Sequence, residues 1–251
     1  MADTRPDIER ILSRLDGHLS RNDYASAERH LLFWLADART SGDTRTLLTV
    51  TNELMGLYRK LGRRDDAVRC ADSALSLVTE LCLDGQAVAG TTYVNCATVF
   101  KAFGDAGRSI ELFERARLIY ERELAPTDTR LGGLYNNMAL TLVDLGRFSE
   151  ANVLYRNAIS VMQASEGTDA EIAITYLNMA SALEAELGPE SAEAQICDYL
   201  DRAEALLASH PTRDGHYAFV CEKCAPVFDY YGYFVTARKL YGLSRRIYEG
   251  N

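Results

Sequence analysis

Apolar residues recur along this chain at the three- and four-residue spacing of a helix face, and glycine interrupts them at a nearly constant interval. Gly62, Gly104, Gly146, Gly188 and Gly232 are separated by 42, 42, 42 and 44 residues. Each closes one helical apolar pattern, and another opens within a few residues, which is the signature of a repeated helical hairpin. Glycine enters the left-handed region without steric cost and suits the reversal between two helices. The flanks keep the same phase. Five residues after the turns stand Ala67, Ser109, Ala151 and Ala237, then Ala71, Phe113, Tyr155 and Tyr241, then Ala74, Ala116, Ala158 and Ser244. Seven residues before the turns come Met55, Ala97, Ala139 and Ala225. Small residues at fixed phase with larger apolar groups between them let two helices approach closely.

This pattern predicts an all-α chain with helices near 7–20, 24–39, 44–60, 64–82, 86–103, 107–124, 128–144, 148–164, 169–186, 191–208, 215–230 and 234–248. They pair into six units, approximately 7–40, 44–83, 86–125, 128–165, 169–209 and 215–249, expected to form one domain over 1–251. In the first unit Asn22 takes the turn position, with Tyr24, Ala27, Leu31 and Trp34 following in phase. In the fifth, the second helix is displaced by about four residues, so that Ile196, Leu200 and Ala203 fill the packing slots. The displacement is assigned to an inserted turn, Gly188-Pro189-Glu190-Ser191, whose proline suits a helix start. Arg39–Asp43 and Ala125–Asp128 carry loop and cap chemistry.

A turn glycine, an aromatic two residues on, then alanine, aromatic and alanine resembles the tetratricopeptide repeat. The clearest copy is Leu134-Tyr135-Asn136-Asn137-Met138-Ala139 followed by Gly146-Arg147-Phe148-Ser149-Glu150-Ala151. The period near 42 is similar to the longer-helix repeats of kinesin light chains and of bacterial peptide-sensing regulators. Departures are the missing turn glycine of the first unit, Ser109 in place of alanine, and Thr51 and Cys221 where Tyr93, Tyr135 and Tyr176 stand in other units. The resemblance implies a right-handed α–α superhelix, or solenoid, of about six helix pairs. It also implies that the first helix of each pair lines a concave face. Such a trough suits an extended peptide or a partner's helix better than chemistry in a closed, dry pocket.

Asn95, Asn137 and Asn178 each precede an in-phase alanine by two residues, and Asn52 and Asn136 sit one position earlier. Asparagine is a poor helix former, but its amide can donate and accept at once. The resemblance implies that asparagines at this phase contact the backbone of a bound peptide; hydrogen bonding between adjacent helices, or plain solvation, is the other reading. Later first-helix positions carry Arg59, Lys60 and Lys101 in the second and third units and Asp144, Glu184 and Asp229 in the fourth to sixth. In phase, these would make the trough basic toward one end and acidic toward the other, unless they are ordinary solvated charges. The candidate peptide-binding residues are therefore Asn52, Asn95, Asn136, Asn137, Asn178, Arg59 and Lys101. The carboxylate-clamp pattern of chaperone-binding tetratricopeptide domains is not reproduced.

Composition narrows the partners. With 27 Lys and Arg against 36 Asp and Glu, the net charge of −9 argues against nucleic acid and anionic membrane as general ligands. Met1–Asp7 has no apolar core of a secretory leader, and no apolar run approaches a bilayer span, so the cytoplasm is the expected compartment. The six cysteines are read as reduced and mostly buried, with Cys221 and Cys224 as helix packing positions rather than a zinc or redox pair. The four histidines form no i,i+4 ligand pair, and no phosphate-cradling loop is present. No enzyme, cofactor or metal is expected. Nine of the aromatics lie between Tyr217 and Tyr248. They give this last unit either an end-to-end homodimer contact or a dense terminal core kinked at Pro226. The expected function is a protein- or peptide-binding scaffold; the alternatives are a peptide-sensing regulator working through a separate partner and a module that assembles through its ends.

Overall fold

The computed structural model describes residues 7–249. Met1–Pro6, most of the stretch without a leader's apolar core, and residues 250 and 251 lie outside the described residues. Twelve α-helices and no strand occur among the described residues. They are α1 (Ile8–Leu19), α2 (Tyr24–Ser41), α3 (Thr44–Lys60), α4 (Arg64–Glu80), α5 (Ala87–Ala102), α6 (Ala106–Glu123), α7 (Thr129–Asp144), α8 (Phe148–Gln163), α9 (Asp169–Leu187), α10 (Pro189–Ser209), α11 (Gly215–Tyr230) and α12 (Phe234–Glu249). None is long and apolar enough to cross a membrane. The chain divides into two compact units, one ending at Glu123 and the other beginning at Leu124. Each unit contains three helical hairpins.

The turns follow from local chemistry. All five periodic glycines have positive φ, between 69° and 83°, and Asn22 takes φ 55° in the turn where the first hairpin lacks glycine. Asparagine tolerates that region better than most residues because its short polar side chain bonds locally. Here the Asn22 Oδ1 accepts from the Tyr24 hydroxyl at 2.6 Å. Aspartates open several helices: Asp7, Asp23, Asp43, Asp128 and Asp214 each accept a hydrogen bond from a backbone N–H in the first turn.

The fifth pair differs from the expected inserted turn. Helix α10 begins at Pro189 itself, so Glu190 and Ser191 are helical and the extra residues lengthen the helix to 21. Gly188 supplies the reversal with φ 78° and ψ 161°, a conformation that side chains exclude, and Pro189 needs no N–H partner in the first turn. Pro226 lies inside α11, which is assigned as one continuous helix.

Packing explains the small residues. Ala67, Ala71, Ala74, Ala97, Ala116, Ala139 and Ala158 have essentially no solvent exposure. Ser109, which stands where the repeat usually has alanine, is equally buried and donates from Oγ to the Ala97 carbonyl at 2.9 Å, so its hydroxyl costs little. In the second unit, Leu177, Ile196, Leu200, Tyr217, Cys221, Cys224 and Phe228 form one buried cluster. Burying each large apolar side chain contributes about 1.5–3 kcal/mol. First helices of consecutive hairpins also meet directly: α3 touches α5, α7 touches α9, and α9 touches α11. Within each unit this places their polar positions side by side.

Candidate functional site

In the first unit the surface is built on α3 and α5. Asn52 donates from Nδ2 to the Leu48 carbonyl one turn earlier at 3.0 Å and to Thr92 Oγ1 on α5 at 3.3 Å. Those two bonds consume its donors and leave Oδ1 facing α5, where Asn95 Nδ2 donates to it at 3.0 Å. The Leu48 carbonyl can only accept, so the orientation of both amides is fixed in sequence, first Asn52 and then Asn95. Asn95 keeps its Oδ1 and one N–H without a partner among the described residues. Both asparagines are partly buried.

The second unit repeats the amide-to-amide bond on α7 and α9, without the carbonyl anchor that holds Asn52. Asn178 Nδ2 donates to Asn136 Oδ1 at 3.0 Å. Asn137, beside Asn136, makes no side-chain hydrogen bond among the described residues and is partly buried. Two of the candidate asparagines thus join adjacent helices in each unit, and each pair still presents amide groups beyond the pair. Asn52 presents none; it is a strut that aims Asn95.

A family model for the tetratricopeptide repeat matches residues 132–169, which contain most of α7 and all of α8. Several solved structures share the architecture. BtubC (BKLC) from P. vanneervenii is 24% identical, with 82% of this chain and 83% of that chain covered and a TM-score of 0.69. A putative kinesin light chain from Podosopora anserina, built of nearly identical tetratricopeptide-like repeats, is 17% identical over 81% of this chain and 94% of that one, with a TM-score of 0.57. A Rap protein complexed with Competence and Sporulation Factor is 15% identical over 99% of this chain and 67% of that one, with a TM-score of 0.70. Residues 132–169 match a tetratricopeptide repeat, and the chain shares the fold of these helical-repeat structures. No curated protein sequence matches it.

In this repeat protein the ionisable residues near the asparagines are unevenly committed. Glu53 stands 42 residues before Asn95 and 84 before Asn137, so it occupies the same place on α3 that those amides occupy on α5 and α7. That register was available in the sequence, but the change from amide to acid hid it. Desolvation, and to a smaller degree the Asp16 carboxylate, raise the Glu53 pKa, and no hydrogen bond or ion pair to it occurs among the described residues. Arg59, two turns along α3 from Asn52, is reachable by solvent, yet enough protein surrounds it that lost hydration lowers its pKa. It too lacks an ion-pair partner among the described residues. A partly buried carboxylate without a protein partner is costly in isolation, and a ligand is one way to complete it; Arg59, exposed and unpaired among the described residues, is open to a ligand anion.

Among the acidic positions of the second unit, Glu184 is not a simple solvated charge. Glu184 accepts from the Tyr230 hydroxyl at 2.8 Å and from the Tyr231 hydroxyl at 2.6 Å, which ties α9 to the end of α11. Burial and this carboxylate push the Tyr231 hydroxyl well above the ordinary tyrosine value. Lys101 is partly buried, while Asp144 and Asp229 are exposed.

The cysteines of the repeat protein sort by burial. Cys221 and Cys224 are almost fully enclosed in α11, and burial pushes Cys224 up to about 12. Cys96 is likewise enclosed and pushed up to about 12 by burial. Cys82 is the exposed one of the six, at φ 52°, just past the end of α4. No disulfide joins any of the six, and no group of three or more potential metal ligands occurs among the described residues.

Proposed function

We propose that the protein is a scaffold that binds another protein in extended or peptide form on the first-helix surface of its hairpins. The carrying observation is the state of Asn95: Asn52 fixes the amide's orientation, and the remaining acceptor and donor are free to pair with a polypeptide backbone. Asn137 and Asn178 supply amide groups in the second unit, where Asn178 donates to Asn136. A main chain offers an N–H and a C=O at each residue, so aimed amides hold it with little regard to side-chain sequence. Glu53 and Arg59 then select for side chains, taking a basic and an acidic group respectively, and Lys101 adds a second cation toward the end of α5. The Rap structure, complexed with Competence and Sporulation Factor, is consistent with a polypeptide factor as ligand for this architecture.

The test begins by selecting ligands from a random peptide library on the full chain. Replacing Asn95, Asn137 and Asn178 together by Ala abolishes binding of the selected peptide and leaves the circular dichroism spectrum unchanged. Retention of full affinity by the folded triple variant overturns the assignment. A regulator that passes a bound peptide's signal to a separate partner uses the same surface. It differs in requiring a second protein whose affinity changes when the peptide is added.

A further inference from the structure

The repeat itself shows what the outer face of α12 is built to accept. Second helices have two kinds of packing position. One kind faces the helix of the same hairpin: Ala67, Ala151, Ile196 and Ala237 are all buried, as are Ala74, Ala158, Ala203 and Ser244. The other kind faces the first helix of the next hairpin. In the first unit the Cys96 thiol of α5 donates to the Ala71 carbonyl of α4 at 3.6 Å, and in the second Met179 of α9 shares a pocket wall with Tyr155 of α8. One repeat later, the Tyr217 hydroxyl of α11 donates to the Leu207 carbonyl of α10 at 2.8 Å.

Helix α12 keeps aromatic residues at these next-hairpin positions. Ala71, Tyr155 and Leu200 are 0%, 1% and 1% exposed, whereas Tyr241 at the same phase is 46% exposed. Val78, Met162 and Leu207 are 0%, 4% and 2% exposed, whereas Tyr248 is 40% exposed. Phe234, one heptad before Tyr241, is 58% exposed. A seven-residue spacing keeps the three rings on one stripe, and Arg238 and Arg245 lie beside it, four residues after Phe234 and Tyr241. Helix α12 therefore carries the kind of surface that internal second helices present to the next hairpin.

Charge selects the occupant. Arg238, Lys239, Arg245 and Arg246 are exposed on α12, with Glu249 the helix's sole acid, paired to Arg245 at 2.7 Å. A second copy docking the same face would set these cations against one another, and like charges brought together oppose association. We infer that the Phe234–Tyr241–Tyr248 stripe of α12 docks an amphipathic helix of a partner protein whose apolar seam is flanked by acidic residues. The internal hairpins show that a helix covers this phase, and the flanking arginines set its sign. The stripe lies on a second helix, α12, whereas the second unit's asparagines lie on the first helices α7 and α9.

The test uses the full chain and two synthetic amphipathic peptides of about three heptads with a leucine seam, flanked by glutamate in one and lysine in the other. Fluorescence anisotropy shows the glutamate peptide binding and the lysine peptide weaker by roughly tenfold or more. Tyr241→Ala weakens the glutamate peptide by roughly tenfold or more. The double variant Arg238→Glu/Arg245→Glu, at solvent-exposed positions, reverses the preference between the peptides, which keeps the test decisive should Tyr241→Ala lose its fold. Absence of binding by both peptides, equal binding of both, or a preference unmoved by the charge reversal overturns the inference. A dimer in light scattering that Tyr241→Ala dissolves assigns the face to a second copy and also overturns it.

Discussion

Gly90 on α5 passes so close to Tyr120 on α6 that a Cβ added to it would lie 2.6 Å from the ring's Cε1 atom. One repeat later, Gly132 on α7 meets Met162 on α8 in the same way, with a Cβ 2.9 Å from the methionine Cγ. The two contacts share a register but not a consequence. The ring of Tyr120 is buried and its hydroxyl is within 2.8 Å of Thr91 Oγ1, so it has little room to move. Gly90→Ala therefore destabilises by about 1–3 kcal/mol through overpacking. At Gly132 the flexible thioether can shift, and the gain in helix propensity of about 1 kcal/mol offsets much of the strain. Urea midpoints of the two variants check this: the Gly90 variant falls well below the Gly132 variant, and equal midpoints contradict it.

The amide pairs make a second prediction. Asn52→Ala and Asn95→Ala each lower stability, and the double variant lowers it by less than their sum, with a coupling of about 0.5–1.5 kcal/mol. Chemical denaturation of the four-member cycle measures it. Strict additivity would show that the 3.0 Å contact does not contribute.

Glu53 links stability to binding. Its folded-state pKa is raised by desolvation, so the folded state holds the proton more tightly than the unfolded chain does. The sign follows by linkage: stability is undiminished while Glu53 is protonated in both states and falls as pH rises from the ordinary glutamate pKa through the raised folded value. Glu53→Gln consequently raises the melting temperature at pH 7, and the gain disappears in acid, below the ordinary glutamate value. The same variant weakens a ligand that carries a basic side chain at this position. Thermal melts at both pH values with one binding curve test it, and a variant less stable than the parent at pH 7 contradicts it.

Thiol chemistry follows burial. Only a thiolate is an effective nucleophile, and Cys96 and Cys224, each pushed up to about 12, stay protonated and enclosed at neutral pH. In native protein an aromatic disulfide reagent modifies Cys82 first, and Cys96, Cys221 and Cys224 react only on unfolding. Cys82→Ser removes the fast phase; a fast phase that persists at full amplitude contradicts the assignment.

Much of the fold was legible because its grammar is local. The glycine interval, the aspartate caps and the small-residue phase place all twelve helices with boundaries within two residues of those observed. Helix α10 starts two residues early, at Pro189 after the unusual ψ of Gly188, and no periodicity reports a single dihedral angle. The site was legible by position and less so by state. Sequence phase marked Asn95, Asn137 and Asn178, but which amides spend their hydrogen bonds on each other depends on the distance between helices. Glu53 shares the register of Asn95, but desolvation of an acid is a property of what packs around it and leaves no mark on the sequence. The chemistry of Tyr241 and Tyr248 was equally hidden: aromatic enrichment was plain in the sequence, but whether those rings were covered was not.

The most direct test of the central claim is side-chain amide NMR of the asparagine-labelled protein during titration with a peptide selected on it, with resonances assigned by single substitution. If the first-helix amides hold the peptide, the NH2 signals of Asn95, Asn137 and Asn178 move with the binding curve, while those of Asn152 and Asn157 on α8, a second helix, remain in place. Movement confined to Asn152 and Asn157, with the three first-helix amides unmoved at saturation, contradicts it.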